Sequence, residues 1–304
     1  MPPVAVLVPS YQCAPFVADA LNSLQAQEGL EAVREVILAD GCSTDGTVEI
    51  ARNTWNSSVP LRVVQPQRNQ GEHADVNAAV ASMGDVSWFL MMHADNMLRP
   101  GWLRALLDGI DEARPDTATI STSWVTLRPD GTLLEGDNDG GISFIEGTTA
   151  AVRDTLIGGC WWHNGSSANR VEAFRRTGMY PLEYRMKGDW DLLIRFLAGG
   201  WSVGYIPRSL MVYRDNPAGA SGVTMKRHRD VAETLAIVRR YSWALSTRDL
   251  AAIHARQLGY LARRAAKSAM TRDPERLART LPAAGLALRS LAVSLASRDT
   301  ARPA

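Results

Sequence analysis

Three cysteines in 304 residues are too few for a disulfide framework, and none stands in a C-x-x-C pair. Cys13, Cys42 and Cys160 lie far apart, which argues against a zinc knot and fits a reducing compartment. Aromatic residues are scarce, at 7%. No stretch reaches the ~18 uncharged apolar residues that a membrane-spanning helix needs. The nearest, Leu281 to Ala296, is interrupted by Arg289. The chain opens Met1-Pro2-Pro3-Val4 and runs into an apolar segment, with no basic n-region and no long h-region. A secretory leader is therefore not expected, and the location expected is cytoplasmic. No G-x-G-x-x-G follows the first apolar run, which argues against a nicotinamide-dependent dehydrogenase. Pro9-Ser10-Tyr11-Gln12-Cys13 also lacks the glycines and basic residues that would cradle a triphosphate, so a nucleotidyltransferase is disfavoured.

What is present is an ordinary globular composition, 46% hydrophobic and 21% charged. The formal net charge of +1 hides an asymmetry. Residues 226–304 carry 16 Lys/Arg against 6 Asp/Glu, which leaves 17 basic and 26 acidic residues in 1–225. That contrast predicts two parts with different tasks, an acidic body of 1–225 and a basic helical extension of 226–304. An acidic body suits a divalent cation. The arginines of the extension are dispersed along helical sequence without interleaved aromatics, so nucleic acid is not the expected partner.

In the first half, strand-like and helix-like runs alternate. Val4 to Val8 is a continuous apolar run of the kind that forms a buried parallel strand. Val36–Leu38, Leu61–Val64 and Val86–Met91 read as further strands, and Pro15–Gln27, Thr47–Trp55, His73–Met83 and Pro100–Ala113 as helices. Such βα repeats imply a sheet with right-handed crossovers. Further on, Thr117–Leu127 is β-rich, Asp189–Ala198 reads as a helix and Ser202–Ile206 as a last strand. Beyond Thr224 the pattern is helical, broken at Thr271-Arg272-Asp273-Pro274 and near Pro282.

In an open α/β sheet, ligands sit at the carboxyl ends of the strands. Three such ends carry polar residues: Pro9-Ser10-Tyr11-Gln12, Asp40-Gly41-Cys42-Ser43-Thr44-Asp45-Gly46-Thr47, and His93-Ala94-Asp95-Asn96. Asp40 suits a base or ribose as acceptor, and Asp95 suits a hard cation such as Mg or Mn. Asp45 suits the cap of the following helix. These segments resemble family 2 glycosyltransferases of the GT-A fold. The opening strand with its S-Y end, the D-D-x-S-x-D-G-T segment (Asp40–Thr47), the R-N-x-G…N segment (Arg68–Gly71 and Asn77), the D-x-D position (His93–Asp95), the E-D-W-D-L segment (Gly188–Leu192) and a late Y-R pair (Tyr213-Arg214) occur in the family's order over about residues 3–225.

The resemblance implies a Rossmann-like, mixed but mostly parallel sheet flanked by helices, followed here by the helical extension. It implies that Pro9, Ser10, Tyr11 and Asp40 hold the nucleotide and that Arg68 and Gly71 help place it, with His93 and Ala94 alongside. Asp95 would bind the metal that bridges the donor diphosphate. Asp189 would be the general base of an inverting displacement, in which a carboxylate takes the acceptor's proton as attack proceeds. On a helix Asp189 and Asp191 point about 200° apart, so only one faces the site. Asp191 is carried as a substrate residue or as an N-terminal helix charge.

The chain departs from the pattern at four places. Gly41 replaces the second acid of D-D, His93 the first of D-x-D, and Gly188 the acid before Asp189. Asp215 or Asn216 stands where many members carry a metal-binding His, and Asp215 is the expected oxygen ligand. His93 is open to three uses: donor contact, nitrogen ligand or structural residue. These changes also admit a nucleotide-sugar-binding partner that no longer turns over. Trp161, Trp162 and His163 beside Gly158 and Gly159 suit a sugar platform, and Lys187 stands just before Asp189. The amphipathic extension is read as a cap on the acidic body or as a dimer surface, with peripheral contact to an anionic membrane as the alternative. The donor expected is a UDP-sugar, and the acceptor a saccharide, a lipid-linked sugar or a natural product.

Overall fold

Val4–Ser10 has no charged residue and no exposed one, and it forms the first strand, β1. A strand covered on both faces has no polar side to alternate with, which is why the run is continuous. In the computed structural model, residues 2–138, 140–216, 228–271, 278, 280 and 282–290 are described. The chain divides into two units. One comprises Met1–Thr148, Cys160–Glu183 and Gly188–Asp215, the other Thr149–Gly159, Tyr184–Lys187 and the chain from Asn216.

The first unit is a ten-stranded sheet. Its strands are β1, β2 (Val33–Asp40), β3 (Leu61–Val64), β4 (Trp88–Met91), β5 (Met97–Leu98), β6 (Thr117–Leu127), β7 (Leu133–Leu134), β8 (Ser143–Ile145), β9 (Ser167–Arg170) and β10 (Ser202–Arg214). The order is β3-β2-β1-β4-β9-β6-β10-β5, with β7 on β6 and β8 on β10. β1 runs parallel to β2, Ser10 opposite Asp40, and parallel to β4, Leu7 opposite Met91. The carboxyl ends of β1, β2 and β4 therefore meet on one rim. β9 enters antiparallel between β4 and β6 and makes the sheet mixed.

Helices cover the sheet: α1 (Val17–Gln25), α2 (Thr47–Thr54), α3 (Glu72–Ala81), α4 (Trp102–Asp111), α6 (Val171–Arg176) and α7 (Gly188–Ala198), with α5 (Thr149–Gly158) in the second unit. α1 buries Val17, Ala20, Leu21 and Leu24, a stripe at helical spacing. β10 runs well past the Ile206 end that its sequence predicts. Its pairing with β6 shifts register between Ile206 and Ser209. A bulge there accommodates Pro207, which has no N–H to give a ladder.

In the second unit, α8 (Arg229–Arg240) and α9 (Thr247–Met270) are the helices expected of the basic extension. α9 opens with a capping box in which Ser246 and Asp249 bond each other's backbone N–H. Arg153 on α5 donates two bonds of 2.8 Å to Asp249 and holds its carboxyl well below the usual carboxylate range. Leu250, Ile253 and Leu261 are buried, whereas Arg256, Arg263 and Lys267 are exposed. Residues 282–290 are helical, and the rest of the expected Leu277–Leu295 helix lies mostly outside the described residues.

One contact fixes the segment before α7. The Glu233 carboxylate accepts the backbone N–H groups of Arg185, Met186 and Lys187 at 3.0, 2.9 and 2.9 Å. Charge-assisted bonds of this kind are about twice as strong as neutral ones. Glu233→Ala is expected to speed tryptic cleavage of the native chain after Arg185 and Lys187. An unchanged cleavage rate would show that this segment is held by something else.

Candidate active site

The rim is organised around Asp40, at the end of β2 and fully buried. Its Oδ1 accepts from Ser10 Oγ at 2.8 Å and Ser43 Oγ at 2.6 Å. Its Oδ2 accepts from Ser43 N at 2.8 Å and Gln65 Nε2 at 2.9 Å. A carboxylate offers about four acceptor directions, and all are taken. Asp40, expected at the nucleotide, instead ties together the ends of β1 and β3 and the loop after β2. Tyr11, 53% exposed, presents its ring at this rim. Pro9 O accepts the Ala94 N–H at 3.0 Å and so locks the end of β1 to the turn after β4. Arg68 is exposed, and Gly71 takes φ +96° at the entry to α3, a backbone angle that favours glycine.

His93 forms an ion pair with a residue that motif reading passes over. Its Nε2 lies 2.9 Å from Glu72 Oε1 in the first turn of α3. Burial opposes the charge on His93, but Glu72 outweighs it, with Asp95 and Asp189 adding, and the imidazole is pushed up to about 9. Burial likewise opposes charge on Glu72, and His93 holds it down to about 2. The first acid of the D-x-D pattern is thus replaced by a cation. With Nε2 engaged by Glu72, a nitrogen-ligand use of His93 would fall to Nδ1. The ring lies against Gly165, where a Cβ would stand 2.4 Å from Nδ1.

His163 behaves oppositely. Burial and the neighbouring His93 charge press it down to about 3. Gly165 N–H donates to its Nδ1 at 3.0 Å, so the ring is neutral with its proton on Nε2. It packs against Trp124 and Tyr213, at 4.9 and 5.5 Å between centroids.

Asp95 is half-buried, and burial raises its proton affinity, partly offset by His93. Arg214, of the Y-R pair, clamps this turn: its Nε donates to Asp95 O and its N to Asn96 Oδ1, each at 3.0 Å. Asp215 is exposed, and its N–H donates to Leu127 O at 2.9 Å. Among the described residues, no three His, Cys, Asp or Glu side chains converge on a metal position. The donor set fits an ion shared between Asp95 and ligand oxygens, and it does not fit one held by protein alone.

Asp189 opens the first turn of α7, its Oδ1 accepting Trp190 N–H at 2.7 Å and its Oδ2 lying 4.0 Å from Cys160 Sγ. At Gly188 a Cβ would fall 2.2 Å from His73 Cε1. The His73 ring therefore fills the space where the family pattern has an acid. It stacks on Tyr180 at 4.7 Å, and Asn77 holds Tyr180 by exchanging two bonds with its backbone. Asp191 is not a substrate residue. It is fully buried and receives Arg195 Nε at 2.8 Å, one turn along the helix. Trp162 is not a sugar platform either: it is 2% exposed, with its indole N–H buried and, among the described residues, unpartnered. Trp161 is half-buried and meets Tyr205 edge-on at 6.0 Å. Lys187 belongs to the second unit, under the Glu233 clamp.

Asp75, on α3, is also absent from the motif reading. Burial, followed by the charges of Asp40 and Glu72, pushes its carboxyl up to about 6. A raised folded value gives stability that is present below the unfolded value near 4 and lost as pH rises through about 6. Asp75→Asn is therefore expected to melt above the parent at neutral pH and level with it near pH 4. A variant that melts lower at neutral pH would contradict that assignment.

A mixed α/β sheet with polar groups at the ends of its first, second and fourth strands is the architecture of the GT-A fold. Residues 5–131 match the model of Glycosyl transferase family 2. The succinoglycan biosynthesis protein ExoO of Rhizobium meliloti (strain 1021) is 25% identical over 252 residues, 80% of this chain and 70% of ExoO. The fold is similar to the crystal structure of S. aureus TarS 1–349 in complex with UDP-GlcNAc. The TM-score is 0.62 at 15% identity, covering 90% of this chain and 89% of that one. It is also similar to GalNAc-T7 with UDP, GalNAc and Mn2+, with TM-score 0.54 at 13% identity over 70% of this chain and 44% of that one. Among the described residues, no helix is long and apolar enough to cross a membrane.

Proposed function

We propose that this transferase uses a UDP-sugar, inverts the anomeric centre and delivers the sugar to a hydroxyl or amine of a saccharide acceptor, free or lipid-linked, in the cytoplasm. The observation that carries the reading is geometric: His93, 2.9 Å from Glu72, and Asp95 follow β4 on the rim where β1 and β2 also end. Asp95 and Asp189 both favour the charged form of His93. The chemistry then follows from the residues. The acceptor oxygen forms its bond to the anomeric carbon as the bond to the diphosphate breaks. Its proton passes to the Asp189 carboxylate, and the bonding pair leaves with the diphosphate. The His93 imidazolium is a preorganised cation for that developing negative charge. A divalent ion, Mn or Mg, bound between Asp95 and the diphosphate would supply further charge neutralisation. Trp161 and His163 are the acceptor-side candidates that remain in the first unit. The basic helices serve a homo-oligomer or an anionic membrane surface. ExoO by its name, and the UDP-GlcNAc complex of TarS, support the saccharide and UDP parts of the reading.

Calorimetry with UDP, GDP and dTDP, each with and without Mn, tests it. UDP is expected to bind best and to need the metal, and Asp95→Ala to weaken metal-dependent binding by about tenfold or more. Equal binding of GDP, or metal-independent binding of UDP, would remove the donor assignment or the metal.

A further inference from the structure

We propose that Asp75 is the residue that reads the donor base, accepting the imide N–H of a uracil or thymine ring. This rests on the UDP-sugar reading and deepens it. The Asp40 carboxylate, the acid that the motif offers for this task, has its oxygens engaged by Ser10, Ser43 and Gln65. Asp75 differs in each respect. It is 5% exposed, and among the described residues no hydrogen bond or ion pair reaches its carboxyl. A nearly buried carboxyl without partners among the described residues, whose oxygens still reach solvent, is placed to accept from a ligand.

Its position supplies one. A Cβ built on Gly41 would stand 2.9 Å from Asp75 Oδ2, 3.4 Å from Tyr11 Cδ2 and 3.5 Å from Ser10 O. The carboxylate from α3 therefore occupies the place from which a side chain at 41 would extend. Position 41 is where the D-D pattern carries its second acid. The chain has moved a carboxylate from the loop after β2 to the facing helix, and the glycine makes room for it. The group is an acceptor-only oxygen pair beside the exposed ring of Tyr11. A flat heterocycle with one N–H on its edge meets both features, by stacking on Tyr11 and by donating to Asp75.

The test is calorimetric titration of the full chain with UDP and with UDP methylated at N3, in the presence of Mn. Asp75→Ala is expected to bind UDP about tenfold or more weaker, a hydrogen bond to a charged group being at stake. N3-methylation should weaken binding to the parent by a similar factor and leave the variant's affinity unchanged. Gly41→Asp should weaken binding by crowding Asp75, and the exchange variant carrying both Gly41→Asp and Asp75→Ala should recover it to within about threefold. The melting temperature of Asp75→Ala should not fall, because a buried carboxyl is removed. UDP binding by Asp75→Ala within threefold of the parent would overturn the proposal. So would an equal methylation penalty in both proteins, or an exchange variant that stays weak. A parent chain that binds none of UDP, GDP or dTDP would instead overturn the donor reading itself.

Discussion

Asp189→Asn is expected to lower kcat for sugar transfer by about a thousandfold, within the span that a positioned general base contributes. The change is nearly isosteric, and the amide oxygen still accepts the Trp190 N–H that orients the group. What is lost is the capacity to take a proton from the acceptor. UDP affinity should stay within about threefold, since the residue acts on the acceptor side. The measurement is steady-state transfer at saturating donor, beside calorimetry on the same preparation. More than a tenth of the parent kcat would exclude Asp189 as the base. Lost UDP binding would show that the residue serves the donor instead.

The second large effect is on stability. Asp191 is buried, and Arg195, three-quarters or more covered, holds it from one turn away. The same guanidinium donates to Thr177 O and Met179 O. Arg195→Met removes this guanidinium from a buried carboxylate and from two carbonyls. Breaking a buried pair from one side costs about 3–5 kcal/mol, whereas replacing both partners with apolar groups is often neutral. The melting temperature should fall by about 10 °C at this chain length. Adding Asp191→Leu should return most of the loss. A single variant that melts within a degree or two of the parent would show the pair to be incidental.

The part of the molecule that could be read in advance is the part governed by local pattern. The buried run of β1, the alternation that places α1 to α4, and the polar ends of three strands are all properties of short segments. The GT-A class follows from their order. The site's electrostatics are not local. Glu72 and His93 are 21 residues apart and meet only because α3 packs beside the end of β4. Glu72 and Asp75 stand in the first turn of α3, where acids suit the helix dipole, and nothing in that local setting points to His93. Asp40 fits a ligand contact by motif, and only the geometry of its four donors assigns it to the frame. Trp162 and Asp191 carry the residue types of a binding site, yet burial gives both to the core. β10 continues past Pro207 because its pairing with β6 admits a register shift, which no window on one strand reveals.

The close approach of position 41 to Asp75 also constrains how such a chain can change over time. Two carboxylates crowd that corner, since a side chain at 41 would begin 2.9 Å from an oxygen of the first and one of them must shift. Acids at the two positions should therefore exclude one another among relatives. A lineage passing between the two arrangements must lose one carboxylate before it gains the other. Its intermediate, with Gly at 41 and a small neutral residue at 75, should be the more stable protein and the less discriminating enzyme. Sampling the four combinations in this chain would trace that path directly.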